Sequence, residues 1–431
     1  MAALPPELWL CVFDLLCHIP AALEIEDHTA IEAYSEDANG IILHNHISSL
    51  TQTKLALSNV CWTWRRLALP FLFREVLITS GRHALKLATT LRSLDYLCAV
   101  QGRDFPGCWI KRVEVCADIK YWDEECHKAL TVVLEYAANL VVFSDAFCTV
   151  PSNLIAYAPL VKQLGTLCAL GSLRRLEWYC DTPTTLKLVL EGMPCLEVLI
   201  LCRGHITSTY DNAIALPRLR TLSIGPYVGL SRFAFMKAPR LQNVFLFRSV
   251  ITPDCDQFLH WLTSCDNLNL RHLRMPSTDA LASCVDIKDL PSLETMTIDF
   301  GQWRKFTRPI SVDFRHMRLR RVNLSNFAFT NSSLYWHHYH KDYHWSTTFT
   351  FMHTLLDKQR LPSLKTIGFY IPHSYQRADE FGQFVSSLSV FWGPWLEECR
   401  RRGVKVEICL SAEDHLEGVW RPFQPAVIHR Q

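Results

Sequence analysis

The residues best suited to chemistry lie in one short stretch, Trp336-His337-His338-Tyr339-His340-Lys341-Asp342-Tyr343-His344-Trp345. If that stretch coils, His340 and His344 fall one helical turn apart, a spacing at which two imidazoles can chelate a metal ion. Lys341, Asp342 and Tyr343 stand between them, not the glutamate placement of a zinc peptidase, and no carboxylate or cysteine cluster lies near in sequence. The better account is a polar-aromatic loop packed on the protein body. A metal-dependent enzyme is the rival, which stoichiometric zinc would revive. The 17 cysteines are dispersed, none three residues from another, so the hook of a zinc site is missing. Cys116, Cys202 and Cys409 are expected to be small buried hydrophobes in a reducing compartment. Only 16 glycines occur, and they form no phosphate-cradling loop, no Gly-x-Ser-x-Gly elbow and no dinucleotide fingerprint. The expectation is no catalytic residue, no metal and no cofactor, and so no enzyme.

The bulk composition narrows the class further. A chain of 431 residues is long enough for two or three domains or one elongated repeat body. With 49% hydrophobic residues, 20% charged residues and a net charge of +2, it is expected to be folded and not to bind nucleic acid. Residues 1–17 lack the basic start of a secretory signal, and no apolar run reaches membrane-spanning length. No export, no membrane and a cytoplasmic or nuclear location are expected.

The positioning elements begin with repeats. An apolar-x-x-apolar-x-apolar pattern, often with proline two places before its first position, starts at Leu173, Leu196, Leu219, Leu241, Leu270, Leu293, Leu319 and Leu364. Successive starts lie 23, 23, 22, 29, 23, 26 and 45 residues apart, and weaker copies begin at Ile110, Leu140 and Val404. Such short strands cannot close a core alone, so parallel stacking, each strand backed by a helix or loop, is the natural solution. This resembles an irregular leucine-rich repeat without its consensus asparagine. Helices are expected over residues 121–138, from Thr252-Pro253 through Phe258, Leu259 and Leu262, and over 379–402 with Gly403 as a stop. The last of these is expected to cap the array.

Upstream, Leu4-Pro5-Pro6-Glu7-Leu8 opens a helix to about residue 18, with proline and glutamate suited to the first turn. Leu8, Val12, Phe13, Leu15 and Leu16 cover more of it than one contact face needs. Further helices are expected over residues 54–60 and 62–69, with Pro70 as a stop and a β-type run over 71–78. Leu4-Pro5-Pro6-Glu7-Leu8-Trp9, then Leu57-Ser58-Asn59-Val60-Cys61-Trp62-Thr63-Trp64-Arg65-Arg66-Leu67-Ala68, then Pro70-Phe71-Leu72-Phe73, resembles the F-box, particularly as it occurs in mushroom-forming fungi. The resemblance implies a Skp-type adaptor, and through it a cullin, as partners. Leu4, Pro5, Leu8, Val12 and Phe13 would be the adaptor contacts, and Val60, Trp64 and Leu67 the module's own core. Residues 20–53 read as an insertion rich in Glu24, Glu26, Asp27, Glu32, Glu36 and Asp37, expected to be a solvated acidic loop.

The expected fold is therefore α/β: a helical F-box-like module over residues 1–78, then a leucine-rich-repeat-like solenoid over 79–431. The solenoid has a parallel sheet, helices or loops on its outer side, and a C-terminal capping helix and strand. Family solenoids bind proteins on the sheet side, which makes Tyr179, Val198, Ile200, Phe245, Phe247, His272 and Arg274 candidate contacts for an unknown protein target. The apolar ones imply cover by a ligand or by the chain itself. The function implied is a substrate receptor of a cullin-RING ubiquitin ligase. A protein-interaction scaffold using the F-box-like fold outside any ligase is the alternative.

Overall fold

The computed structural model describes residues 4–17, 20–28, 31–32, 41–101, 105–117, 122–146, 157–179, 189–203, 214–225, 236–247, 258, 261–263, 269–276, 290–299, 315–325, 351–370, 393–409 and 421–422. The chain divides into two compact units, Met1–Ala238 and Pro239–Gln431.

The first unit opens with α1 (Pro6–Cys17) and α2 (Pro20–Leu23), followed by α3 (Ile41–Val60) and α4 (Trp62–Arg74). Two expectations change here. α3 starts thirteen residues before Lys54, inside the stretch read as an insertion. α4 runs through Pro70 to Arg74, so only Glu75–Ile78 is strand (β1). Proline in a helix interior loses a hydrogen bond; the next residue, Phe71, meets Phe13 edge-on at 6.3 Å.

Parallel strands follow: β2 (Arg112–Val115), β3 (Val142–Ser144), β4 (Arg175–Tyr179), β5 (Val198–Arg203) and β7 (Thr221–Ile224), paired in that order after β1. β6 (Ile214–Ala215) and β8 (Met236–Lys237) pair separately. Helices α5 (Gly81–Gln101), α6 (Glu124–Tyr136) and α7 (Ala158–Ala169) pack side by side between the early strands. The helix read over residues 121–138 is α6, capped by the Asp123 carboxylate, which accepts the Cys126 N–H at 2.9 Å.

In the second unit β9 (Asn243–Leu246), β10 (His272–Pro276), β11 (Thr295–Asp299), β12 (Arg321–Ser325), β13 (Thr366–Tyr370) and β14 (Lys405–Cys409) are parallel neighbours in chain order. β15 (Arg421–Pro422) closes the order antiparallel to β14. α8 (Gly393–Arg401) precedes β14, and its Trp395 indole donates to the Met352 carbonyl at 3.1 Å. Gly403 stops α8 with φ +69, the Gly403 and Val404 N–H groups reaching back to Arg400 and Cys399 carbonyls. Residues 379–392 of the expected capping helix lie outside the described residues, as do Leu259 and the histidine stretch 336–345. Phe258 and Leu262 are described and buried.

The recurring proline now has a physical account. Leu216-Pro217-Arg218-Leu219, Leu290-Pro291-Ser292-Leu293 and Leu361-Pro362-Ser363-Leu364 each close a turn from the fourth N–H to the first carbonyl, at 3.0–3.3 Å. Proline at the second place presets the φ such a turn needs. Both leucines of each turn are buried. The next two N–H groups then share one carbonyl of the preceding rung, as Arg220 and Thr221 share that of Glu197. Each repeat thereby enters its strand in the same register, with the inward triads such as Leu219, Leu222 and Ile224 fully buried.

Close packing between rungs has a consequence at Gly225, just past β7, where a Cβ would stand 2.1 Å from the Cys202 carbonyl oxygen. Backbone cannot yield cheaply, so Gly225→Ala is expected to cost about 1–3 kcal/mol. A urea midpoint unchanged from wild type would contradict this packing.

Candidate functional site

α1 presents two faces. On one, Phe13 and Cys17, four residues apart, are buried, and Trp9 is half-buried. Trp64 of α4 packs 4.6 Å from the Trp9 ring and 5.1 Å from that of Phe13, an aromatic cluster that fixes the two helices together. Arg74 Nη1 adds an ion pair to Asp14 Oδ1 at 2.6 Å. On the other face Leu8, Val12 and Leu16 follow one another at helical spacing, Leu15, 83% exposed, lies beside them, and Leu4, just before the helix, is exposed too. Leu4, Pro5, Leu8 and Val12 are thus exposed. Phe13 is not: it is wholly buried in the aromatic cluster and cannot meet a partner. Val60 corrects the other way, being 59% exposed at the end of α3 instead of core, while Trp64 and Leu67 are half-buried.

The second feature is the outward face of the first unit's strands. Register sets Glu75, Arg112, Val142, Arg175, Val198 and Thr221 in one row, and Glu114, Ser144, Glu177, Ile200 and Ser223 in the next. All of these are buried. The Arg112 guanidinium donates to both Glu177 carboxylate oxygens at 2.7 and 2.8 Å and to Glu114 Oε2 at 2.9 and 3.0 Å. Arg175 Nε lies 2.8 Å from Glu177 Oε1, and α3 brings the buried Lys54 ammonium onto Glu75. Three cations therefore face three carboxylates in a dry environment, where each needs its partner.

The cover over part of this face is the acidic stretch itself. Arg112 Nη1 donates to the Ala22 carbonyl at 3.0 Å, and Arg175 Nη1 to the Glu24 carbonyl at 2.9 Å. Ala22, Ile25, Ile31 and Glu32 are buried. Glu24 Oε1 accepts the N–H groups of Ile25, Glu26 and Asp27 at 2.6–2.8 Å, which shapes the turn. Burial alone would raise the Glu24 pKa, but those three N–H groups and Arg175 outweigh it and hold the carboxyl below its ordinary value. Over 20–28 and 31–32, then, the stretch is a docked segment and not a solvated loop. Arginine donors and a buried isoleucine pair favour docking over solvation.

The expected target contacts are corrected by the same finding. Val198, Ile200, Phe245, Phe247 and Arg274 are all buried, so none offers a surface; the alternative of cover by the chain's own residues holds. In the second unit Arg274 pairs with Asp299 at 3.1 Å, bonds Ser325 Oγ at 3.2 Å and sits 4.5 Å over the Phe247 ring. His272 is half-buried in β10, and the Tyr179 side chain lies outside the described residues. Sequence reasoning missed Lys54, Glu75, Arg112 and Glu114. The available signal was Arg-x-Glu repeated at matching places, Arg112-Val113-Glu114 and Arg175-Leu176-Glu177.

Among the described residues no cluster of His, Cys, Asp or Glu could hold a metal, and no helix is long and apolar enough to cross a membrane. Cys409 is buried as expected, whereas Cys116 and Cys202 are half-buried.

Comparison with known proteins adds little. No family model and no curated protein matches the chain. Among solved structures it is similar to one titled "Crystal structure of TLR13-ssRNA13 complex", at 17% identity and TM-score 0.28, over 64% of this chain and 33% of that one. The chain thus spans about a third of that protein's length, and the fold described above rests on its own strand pairing.

Two outcomes follow. Glu177→Ala strands two buried guanidinium groups and should cost about 3–5 kcal/mol by denaturant unfolding; a loss below 1 kcal/mol would contradict the network. Burial also holds the His28 imidazole below its ordinary pKa, so the folded state resists protonating it. That contribution is complete above about pH 6.5 and is lost as pH falls toward the folded value. Glu24, depressed from the carboxylate value, loses its contribution at lower pH still. The melting temperature should fall on acidification from pH 7. His28→Gln should flatten the upper part and Glu24→Gln the lower, whereas wild-type slopes in both variants would contradict the assignment.

Proposed function

We propose that this chain is a substrate-receptor subunit of a Skp-cullin-F-box type ubiquitin ligase: α1 docks on the adaptor and the repeat body holds a protein target. The observation that carries the reading is the stripe Leu8, Val12 and Leu16, exposed with the preceding Leu4 on a helix whose opposite face is already buried. Each such side chain is still a third to a half exposed and gains roughly 1 kcal/mol by leaving water, so an unpartnered row of them is a binding surface in waiting. It coincides with the Leu-Pro helix through which the resembled family meets its adaptor. The docked acidic segment lies on the strands' outward face, bonded to Arg112 and Arg175, and so leaves this stripe uncovered. The repeat body supplies a protein-binding scaffold, and the residues 1–78 form its docking module. A scaffold outside any ligase would keep the stripe but not the cullin.

Leu8→Asp with Val12→Asp, both on the exposed side, should abolish co-purification with a Skp-type adaptor, by tenfold or more, and leave thermal unfolding within about 0.5 kcal/mol of wild type. Capture of adaptor and cullin at wild-type levels by this variant would contradict the reading. Phe13→Asp is unsuited to the test because it should unfold the aromatic cluster.

A further inference from the structure

The segment docked on β2 to β4 is held in a manner that any peptide of suitable charge could copy. Its two anchoring bonds are made by main-chain carbonyls, Ala22 to Arg112 and Glu24 to Arg175, two residues apart. Main-chain acceptors carry no sequence information, so Arg112 and Arg175 recognise a bent main chain and not particular side chains. The carboxylates that compensate the arginines, Glu114 and Glu177, belong to the strands themselves. Taking the segment away therefore leaves the ion pairs in place and exposes two guanidinium donors.

The edge beside the segment carries the matching charge. Glu26 lies 3.8 Å from Arg174, which is a third exposed and bonded to Glu197, and Arg220 stands 3.8 Å from the same Glu197. An incoming acidic chain would meet Arg174 and Arg220 first and the buried pair beneath. The apolar part of the grip is small, the side chains of Ala22, Ile25 and Ile31.

We propose that the outward face of β2 to β4 is a binding surface for an acidic peptide segment of a partner protein, and that residues 22–28 are its resident, displaceable occupant. The partner would place two successive-but-one carbonyls on Arg112 and Arg175, apolar side chains where Ala22 and Ile25 stand, and a carboxylate against Arg174 as Glu26 does. This deepens the protein-binding part of the proposed function and is independent of adaptor docking by α1. Because the resident segment is tethered, its effective concentration is on the order of millimolar, and a free peptide binds weakly until the segment is loosened.

The test uses the full chain and a labelled peptide of residues 20–28, Pro-Ala-Ala-Leu-Glu-Ile-Glu-Asp-His, read by fluorescence anisotropy. Ile25→Asp with Ile31→Asp unseats the occupant and should bind the peptide at least tenfold more tightly than wild type. Glu24→Gln, which loosens the turn without touching the apolar anchors, should lie between them and decides the matter should the double variant not fold. A peptide with Gln, Gln and Asn in place of its three carboxylates should bind at least tenfold more weakly. Equal affinity of wild type and loosened variants, or equal affinity for the neutral peptide, overturns the proposal. Adaptor capture is measured on the same samples and is expected unchanged in every variant. Failure of the wild-type chain to capture the adaptor would count against the docking of α1 and not against this face.

Discussion

Three buried positive charges, those of Lys54, Arg112 and Arg175, impose the constraint on which the first unit depends. A guanidinium removed from water must find carboxylates and acceptors for its N–H groups or the fold fails. Arg112 finds Glu114 on its own strand, Glu177 two strands away and the Ala22 carbonyl before α3. Strand register and the path of the N-terminal chain are thereby fixed by one side chain. Lys54 extends the same logic to α3 through Glu75, and the Trp9, Phe13 and Trp64 rings carry it on to α1. The apolar stripe that α1 turns outward is thus presented from a braced helix.

The repeats solve a simpler problem twenty or so residues at a time. Each turn buries a leucine on either side of its second-place proline, and each following pair of N–H groups takes one carbonyl of the rung before. Within the second unit the polar row follows the same economy: Arg321 bonds Asn323 at 2.7 Å and Glu407 at 2.8 Å, binding β12 toward β14. Charges on the strands' outward side are structural cement in both units, which is why a face read as a recognition surface is dry.

Much of the repeat body was legible because an inward triad has a fixed spacing. Leu219, Leu222 and Ile224 state their strand, their face and their burial at once, and the weak copies at Ile110, Leu140 and Val404 became β2, β3 and β14 on the same pattern. The opposite face was not legible, since alternation says which residues point outward and nothing of what lies upon them. Val198 and Ile200 hinted at cover, but the covering segment, Ala22 to Asp27, is short, acidic and without period. Its docking depends on contacts to residues 90 and 151 positions away in the chain. Phe13 illustrates the same limit within α1: helical period groups it near Val12, and only the position of Trp64 decides that it turns inward.

The outward stripe of α1 and the covered strand face of the first unit are joined through one buried ionic layer and the aromatic cluster beside it. That layer makes residues 22–28 part of the folded unit and not an appendage. Native-state hydrogen exchange of the Ile25, Glu26 and Asp27 amides, followed beside those of β2 and β4 in rising denaturant, tests this most directly. Protection of the three amides well above that of an unstructured peptide, lost at lower denaturant than that of β2 and β4, is the result predicted. Exchange of these amides at the rate of an unstructured peptide, while the strands stay protected, would contradict it.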